Sequence, residues 1–441
     1  LILSMLVLTL FSQASCLVNL MNEYISANQA LIAVTDQGRS LDGSLTGSSL
    51  ARQIAFGVLR HYFELSFKVD YLVSKPLSEK HTDIQLLIMS GIYSIDHLNR
   101  PVHASVNACV EATVELQKVW AKKLVNGVLR SYLRKKEEIC NDMTSDAESV
   151  TNHPQWLISR IESAYPEQAK TIFEANNIQP PMTLRVNVNQ QSRDDYIASL
   201  ADAGIEASLG EHAPTAIYLS RPVAVDKLPN FDTGAVSVQD EASQLVAPLM
   251  DITPGMEVLD ACAAPGGKSC HILETYTDIT LVALDKDKRR LERVKENVAR
   301  LQLDCQTIVD DLNTFEPPNQ LFDRILLDGP CSASGIIRRH PDIKLLRRDT
   351  DIAKLAATQL KLLAKAWSLL KEGGELIYST CSILPDENEM VIAAFCSENP
   401  DAKTIAIDTQ WGLASPHGRY LLPATGSTDG FFYAKLKKQS A

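Results

Sequence analysis

The stretch Val258–His271, VLDACAAPGGKSCH, constrains this chain more than any other. It opens as a short apolar strand closing on Asp260, passes through Ala263-Ala264-Pro265-Gly266-Gly267-Lys268, and runs into the helix-like SCHILETY. Small residues directly after a strand let the backbone approach a ligand, and the helix start offers free N–H groups to it. That is the layout of a nucleotide-type cofactor site at the carboxyl end of the first strand of an open α/β sheet. Neither the dinucleotide GxGxxG nor the Walker GxxxxGK[ST] pattern is present.

From residue 254 onwards strands and helices alternate, as a doubly wound sheet requires. The expected strands are MEVLD, TLVALD, CQTIVDD, FDRILLDGPC and ELIYSTC, with FFYAKLK closing the sheet. The helix LAATQLKLLAKAWSLL is expected to stop at Gly373-Gly374. Polar groups then collect at successive strand ends: Asp260, Asp285, Asp311, Asp328 with Cys331, and Cys381. In an open sheet these ends share the edge where ligands bind. Asp285 lies 25 residues beyond Asp260, the spacing of an acid that accepts from ribose hydroxyls, and Asp311 can face an adenine edge. A single acid at a strand end often only caps the next helix; four along one edge are harder to explain that way.

At 441 residues the chain exceeds one ordinary core, so three domains are expected, 1–140, 150–235 and 236–441. The first reads as helices, broken near Asp42-Gly43, Lys75-Pro76 and Arg100-Pro101. Its opening run, LILSMLVLTLFSQASCL, could pass for a signal segment, with Ala14-Ser15-Cys16 resembling a lipoprotein cleavage site. No positively charged stretch precedes it and the chain starts at Leu1, so the expectation is a first helix. A later helix carries Lys118, Lys122, Lys123, Arg130, Arg134, Lys135 and Lys136. In a chain of net charge −11, so basic a run favours a surface for phosphates over a merely solvated face. Residues 141–153 read as a polar linker. A β/α/β arrangement follows as a small α+β module. Gln239 or Asp240 can cap the helix beyond it.

Nine cysteines are scattered without CxxC or paired Cys/His spacing, which argues for reduced thiols in a cytoplasm and against a zinc site. Cys262, Cys270, Cys305 and Cys396 read as small buried hydrophobes. Pro330-Cys331 and Thr380-Cys381, at neighbouring strand ends, bring two sulfurs to one pocket, where a thiolate can add to an electron-poor ring carbon and later leave.

LDACAAPGGKS, LLDGPCSASGIIRRHPDIK, YSTCSILPDENE and DGFFYAKL together resemble the motifs of bacterial ribosomal RNA cytosine-5 methyltransferases of the Sun (Fmu) type. The helical first domain is similar to the antitermination-factor B (NusB) fold, and the likeness covers essentially the whole chain. It implies an all-α NusB-like RNA-binding domain, a small α+β RNA-binding module and an α/β Rossmann-like class I methyltransferase domain. It implies S-adenosylmethionine as cofactor. The partner is 16S ribosomal RNA or a small-subunit assembly intermediate, with no membrane, and the protein a cytoplasmic monomer. By the same likeness Cys262, Ala263, Ala264, Pro265, Gly266, Gly267 and Lys268 surround the methionine part of the cofactor. Asp285 holds the ribose, Asp311 lies at the adenine, and Asp328 belongs to the same pocket. Cys381 is the nucleophile, Cys331 assists release of the methylated product, and the target is C5 of a cytosine, at position 967 by likeness alone. Asp328 is placed to hydrogen-bond the base N3 if its carboxyl holds a proton in the closed site.

Arg338, Arg339, His340, Lys344, Arg347 and Arg348 follow Cys331 and are expected to guide phosphates. Two departures from the family pattern stand out. Gly329 replaces the usual Ala, and Asp310 precedes Asp311 where Gly is usual, which threatens repulsion at the cofactor. Two other readings are weighed. In a DNA cytosine methyltransferase Cys331 would attack, but Thr380-Cys381 and the helical domain argue against it. An RNA-binding assembly factor with an inactive catalytic domain is disfavoured because every motif residue is present.

Overall fold

The computed structural model describes residues 2–45, 47–98, 100–317 and 321–440. Leu1, the expected start of the apolar run, lies outside them. The chain forms two compact units, one of residues up to 178 together with 337–348, the other of 179–336 together with the remainder.

The first unit is helical. Its main helices are Ile2–Thr35, Ser49–Arg60, Tyr62–Leu72, Thr82–His97, Val102–Glu115 and Lys122–Met143; the three breaks read from the sequence fall between the first and second, third and fourth, and fourth and fifth, while those after Arg60 and Glu115 were not read. Ser48 caps the second helix by accepting from the Leu50 and Ala51 amides. Tyr24, Leu31, Ile54, Val58, Leu87, Ile92, Leu129 and Tyr132 fill the core. The opening run is helical from Ile2, as expected. Among the described residues no helix is long and apolar enough to cross a membrane.

Residues 141–153 are not a loose linker. A short helix, Ala147–Thr151, forms there, capped by Asp146. Asn152 Oδ1 accepts from the Glu64 amide at 3.0 Å, and buried His153 meets the Asn176 amide group at 3.0 Å. Polar composition misled because these side chains spend their hydrogen bonds inward.

The two basic expectations also change. Lys118 pairs with Asp83 at 2.5 Å, Lys122 with Glu111 at 2.9 Å and Lys136 with Asp96 at 2.6 Å. Much of that helix's positive charge is therefore met by acids of this unit. In the segment after the Cys331 loop, Arg338 and Lys344 are buried. Lys344 Nζ donates to the Arg60 carbonyl at 2.9 Å and to Asn177 Oδ1 at 2.7 Å, and burial lowers its pKa well below the usual lysine value. Arg338 and Lys344 build the helical unit and are not available to phosphates.

Lys68, 2% exposed, lies between Glu64 (2.5 Å) and Asp96 (2.9 Å). Burial works against the Glu64 carboxylate, yet the His61 hydrogen bond and the Lys68 ammonium outweigh it and hold it well below the usual range.

The second unit carries two sheets. In the smaller, β1 (Met182–Val186), β2 (Ala207–Leu209), β3 (Ala216–Leu219) and β4 (Val236–Val238) pair antiparallel in the order β2-β3-β1-β4. The helix Arg193–Asp202 packs Tyr196 and Leu200 among Leu184, Val186 and Ile217.

The larger sheet contains β5 (Glu257–Asp260), β6 (Thr280–Asp285), β7 (Gln306–Val309), β8 (Phe322–Asp328) and β9 (Leu370–Thr380). It adds β10 (Ala402–Ile405), β11 (Leu413–Ser415), β12 (Gly418–Leu421) and β13 (Phe431–Lys438). The order is β11-β12-β13-β9-β8-β5-β6-β7, with β10 on β13. Strands β9-β8-β5-β6-β7 run parallel, and β13 lies antiparallel on β9. Neighbouring residues face opposite ways, so Val258, Leu326 and Ile377 enter one core and Leu259, Leu327 and Tyr378 the other. Helices Gly267–Thr275 and Lys288–Arg300 cover the first face; Asp349–Ser368 and Glu389–Glu398 cover the second. The last strands β10–β12 were not read from the sequence, and β9 already begins at Leu370, ahead of the Gly373-Gly374 expected to end the helix. Leu370 pairs with Phe322, the register shifts across 371–374, and pairing with both β8 and β13 covers Glu375 onwards, so the two glycines occupy an irregularity in the strand.

Replacing Lys68 by Ala leaves two part-buried carboxylates without the cation between them, Glu64 keeping His61 and Asp96 keeping Lys136. The helical unit should lose about 3 kcal/mol, read as faster amide exchange in the helices Tyr62–Leu72 and Thr82–His97; unchanged exchange there would contradict this account.

Candidate active site

The turn after β5 is fixed from several sides. Gly266 has φ +97°, and a Cβ there would lie 3.0 Å from the Val294 backbone, so only glycine fits. Arg290 donates to the Ala264 carbonyl, and Asn297 Nδ2 to that of Pro265 at 3.2 Å. Arg185, from β1, donates to the Gly267 carbonyl at 2.7 Å and to Gln239. The same guanidinium, 1% exposed, forms a two-pronged pair with Glu274 at 2.8 Å on each bond. Asp240, not Gln239, caps the helix beyond β4 by accepting from the Ala242 amide.

Each strand-end acid has a distinct job. Asp285, closing β6, accepts from the Ala264 amide at 3.1 Å and the Asp287 amide at 2.9 Å. Asp310 and Asp311 lie just past the end of β7. Asp310 Oδ1 accepts from the Asp311 amide at 2.8 Å, and Asp311 Oδ1 from the Asn313 amide and side chain. Those two Asn313 donors hold Asp311 below the usual carboxylate range. The expected repulsion between neighbouring acids is thus answered locally. Asp260 is buried, with the Ser269 hydroxyl donating to Oδ2 at 2.6 Å and Oδ1 lacking a partner of ordinary geometry. Burial pushes its pKa up to about 7.

At the ends of β8 and β9, Asp328 accepts from Lys268 at 2.6 Å and from the Ser379 hydroxyl at 2.8 Å. Lys268 Nζ lies 5.3 Å from the Phe431 ring centroid. Burial opposes its charge, but Asp328 outweighs that and raises its pKa. Gly329 donates to the Ser379 carbonyl at 3.1 Å, and a Cβ on it would meet nothing closer than Gln359 Cγ at 3.8 Å. The alanine usual in this motif would therefore fit. The two sulfurs, Cys331 Sγ and Cys381 Sγ, are 3.4 Å apart. The Cys331 thiol, hydrogen-bonded to Cys381 and buried, is raised well above the ordinary cysteine value. Gly335, four residues on, donates to the Cys381 carbonyl at 2.9 Å and accepts from the Gly430 amide at 2.8 Å.

A cavity of about 280 Å³ opens along this edge. Of the residues expected from the sequence, Cys262, Ala264, Asp285, Asp311, Asp328, Cys331 and Cys381 line it. Ala263, Pro265, Gly266, Gly267 and Lys268 shape the turn behind its wall. Leu312, Leu362, Thr358, Asn313 and Arg290 also line it and were not anticipated; no local motif marks them. The acids come from β6 and β7 and the sulfurs from β8 and β9, with β5 and its turn between. Hydroxyl-accepting carboxylates on one side and apolar side chains nearby suit a nucleoside.

Comparison with known proteins adds to this geometry. Residues 247–437 match the family model described as 16S rRNA methyltransferase RsmB/F. Residues 153–226 match the ferredoxin-like domain of RsmF/B-like methyltransferases, and 17–134 the NusB family. The chain is 44% identical over 433 residues to ribosomal RNA small subunit methyltransferase B of Pseudomonas putida, covering 96% of this chain and 99% of that protein. It is 42% identical over 437 residues to the Vibrio cholerae protein of the same name, covering 97% and 100%. A solved methyltransferase homologue from Pyrococcus horikoshii aligns with TM-score 0.59 at 29% identity, over 66% of this chain and 98% of that one. These likenesses define a class I methyltransferase domain preceded by a ferredoxin-like module and a NusB-like domain. The chain belongs to the RsmB/F family of 16S rRNA methyltransferases, and its methyl donor is S-adenosylmethionine.

Asp260 gives a pH test. Its folded value, about 7, exceeds that of an unfolded aspartate, about 3.9. The stability it contributes is full below the unfolded value and is lost as pH rises from about 4 through about 7. Melting temperatures of wild type and Asp260→Asn should therefore converge or cross as pH rises through that window; parallel profiles would exclude this role.

Proposed function

We propose that this protein methylates C5 of one cytosine of 16S ribosomal RNA, position 967 by family likeness, through a covalent bond between Cys381 and C6 of the base. The observation that carries this reading is the 3.4 Å approach of two sulfurs at the cofactor cavity. Cys381 is the more accessible of the two sulfurs, Cys331 being buried, and family likeness gives Cys381 the role of nucleophile.

S-adenosylmethionine supplies an electrophilic methyl carbon. By family likeness Cys262 to Lys268 would hold its methionine part, Asp285 its ribose and Asp311 its adenine. The Cys381 thiolate adds to C6, and Asp328 in its protonated form would donate to N3 as negative charge builds on the ring, which makes C5 nucleophilic. After methyl transfer a base takes the C5 proton. The pair left behind restores the C5–C6 double bond, and the C6–S pair departs on Cys381, where the Cys331 thiol hydrogen-bonds it. A cytosine can reach this cavity only when single-stranded or flipped out of its helix. The helical domain, 1–140, and the small module, 150–235, bind RNA and present the target to the domain 236–441. The substrate is free 16S RNA or a small-subunit assembly intermediate, and the protein acts as a cytoplasmic monomer.

Trapping on RNA containing 5-fluorocytosine tests the assignment. Cys381→Ser should form no adduct and lose turnover by on the order of 10⁴-fold, whereas Cys331→Ser should still trap. Adducts that survive Cys381→Ser but vanish with Cys331→Ser would reverse the roles. Bisulfite sequencing of ribosomal RNA from cells lacking the protein should reveal one unmethylated cytosine.

A further inference from the structure

Directly behind the sulfur pair, Glu387 is fully buried and takes four donors, all neutral. Its Oε1 accepts from the Ser332 amide at 2.7 Å and from Gln359 Nε2 at 3.2 Å. Its Oε2 accepts from the Ser332 hydroxyl and from the Ser382 hydroxyl at 2.7 Å. Ser332 follows Cys331 and Ser382 follows Cys381, so one carboxylate ties together the residues beside both sulfurs. The grip is unequal. Gln359 Nε2 also donates to the Pro330 carbonyl at 2.9 Å, so both chain neighbours of Cys331 hang on the Glu387–Gln359 pair. Cys381 has separate support. Asn388 accepts from the Thr380 hydroxyl and donates to the Ser382 carbonyl at 2.8 Å, and Gly335 holds the Cys381 carbonyl.

We propose that Glu387 is a positioning residue that holds the Cys331 loop against Cys381 and so sets the Cys331 thiol for product release. The inference rests on the roles given to the two cysteines under Proposed function. A carboxylate is needed because four donors converge on it. An amide would offer one oxygen and turn an N–H pair onto donors, and buried donors left without acceptors are costly. Three of the four donors serve the Cys331 side, the Ser332 amide and hydroxyl and Gln359, against the one Ser382 hydroxyl, so the Cys331 loop would give first. Methyl transfer from the Cys381 adduct would continue, and departure of the sulfur would slow.

The test uses full-length Glu387→Gln with unmodified cytosine RNA and S-adenosylmethionine. The single-turnover rate of methyl transfer should stay within about threefold of wild type. Steady-state turnover should fall about tenfold or more, and a denaturant-stable protein–RNA complex should accumulate. Ser332→Ala, which removes one of the four donors, should give the same pattern more weakly and keeps the test open if Glu387→Gln does not fold. Equal loss of both rates in folded protein, or no loss of either, would overturn the inference. Cys331→Ser is run alongside. If it too fails to accumulate the complex, the assignment of the cysteines is at fault; if it accumulates the complex and both Glu387→Gln and Ser332→Ala do not, only the role of Glu387 falls.

Discussion

The site depends on the parallel register of β8 and β9. Asp328 pairs with Ser379, so both chains leave the sheet at the same height and in the same direction. Only then can Cys331, three residues beyond Asp328, and Cys381, two beyond Ser379, meet at 3.4 Å. A slip of one residue would turn each side chain to the opposite face and part the sulfurs. The same register gives Asp328 its Ser379 hydroxyl donor and lets Gly329 continue the ladder to the Ser379 carbonyl.

Two buried polar groups steady this edge in different ways. Arg185 and Glu274 form a desolvated ion pair whose second purpose is to hold the Gly267 carbonyl, so a residue of the small sheet fixes the cofactor turn. Such pairs add little net stability over an apolar substitute but tolerate few geometries. Glu387 faces neutral donors only, and its charge is spread over hydroxyl and amide groups. The first web fixes the turn after β5 and the second the loops that carry the two thiols, and in the proposed reaction both would hold groups that side-chain entropy would otherwise blur.

Much of this was legible in the sequence. The strand–turn–helix at 258–271, the acids at strand ends and the two cysteines could be read because each is a local pattern with a chemical reason. The family likeness of these motifs reached the NusB-like, ferredoxin-like and methyltransferase parts that the comparisons bear out. What escaped was decided by distant partners. Arg185 looks like any strand arginine until Glu274, 89 residues on, is brought to it. Lys344 and Arg338 read as a phosphate loop because burial of a cation leaves no mark on composition. The stretch 141–153 read as a linker because the three polar residues that turn inward, Ser149, Asn152 and His153, look the same on paper as the exposed ones around them. The two glycines near the start of Leu370–Thr380 fall where the register with β8 shifts, a feature set by the partner strand and not visible in the local sequence.

The contact of Gly335 with Gly430 has one more consequence. A Cβ on Gly335 would fall 2.2 Å from the Gly430 carbonyl oxygen, so main chain lies on main chain with no room for a methyl. The last strand of the sheet is thereby latched to the catalytic loop, one residue away from its own first phenylalanine. Any variation that thickens either glycine would be felt not as a dent in the surface but as a displaced loop beside the two sulfurs, which ties the tail of the chain to the cavity edge.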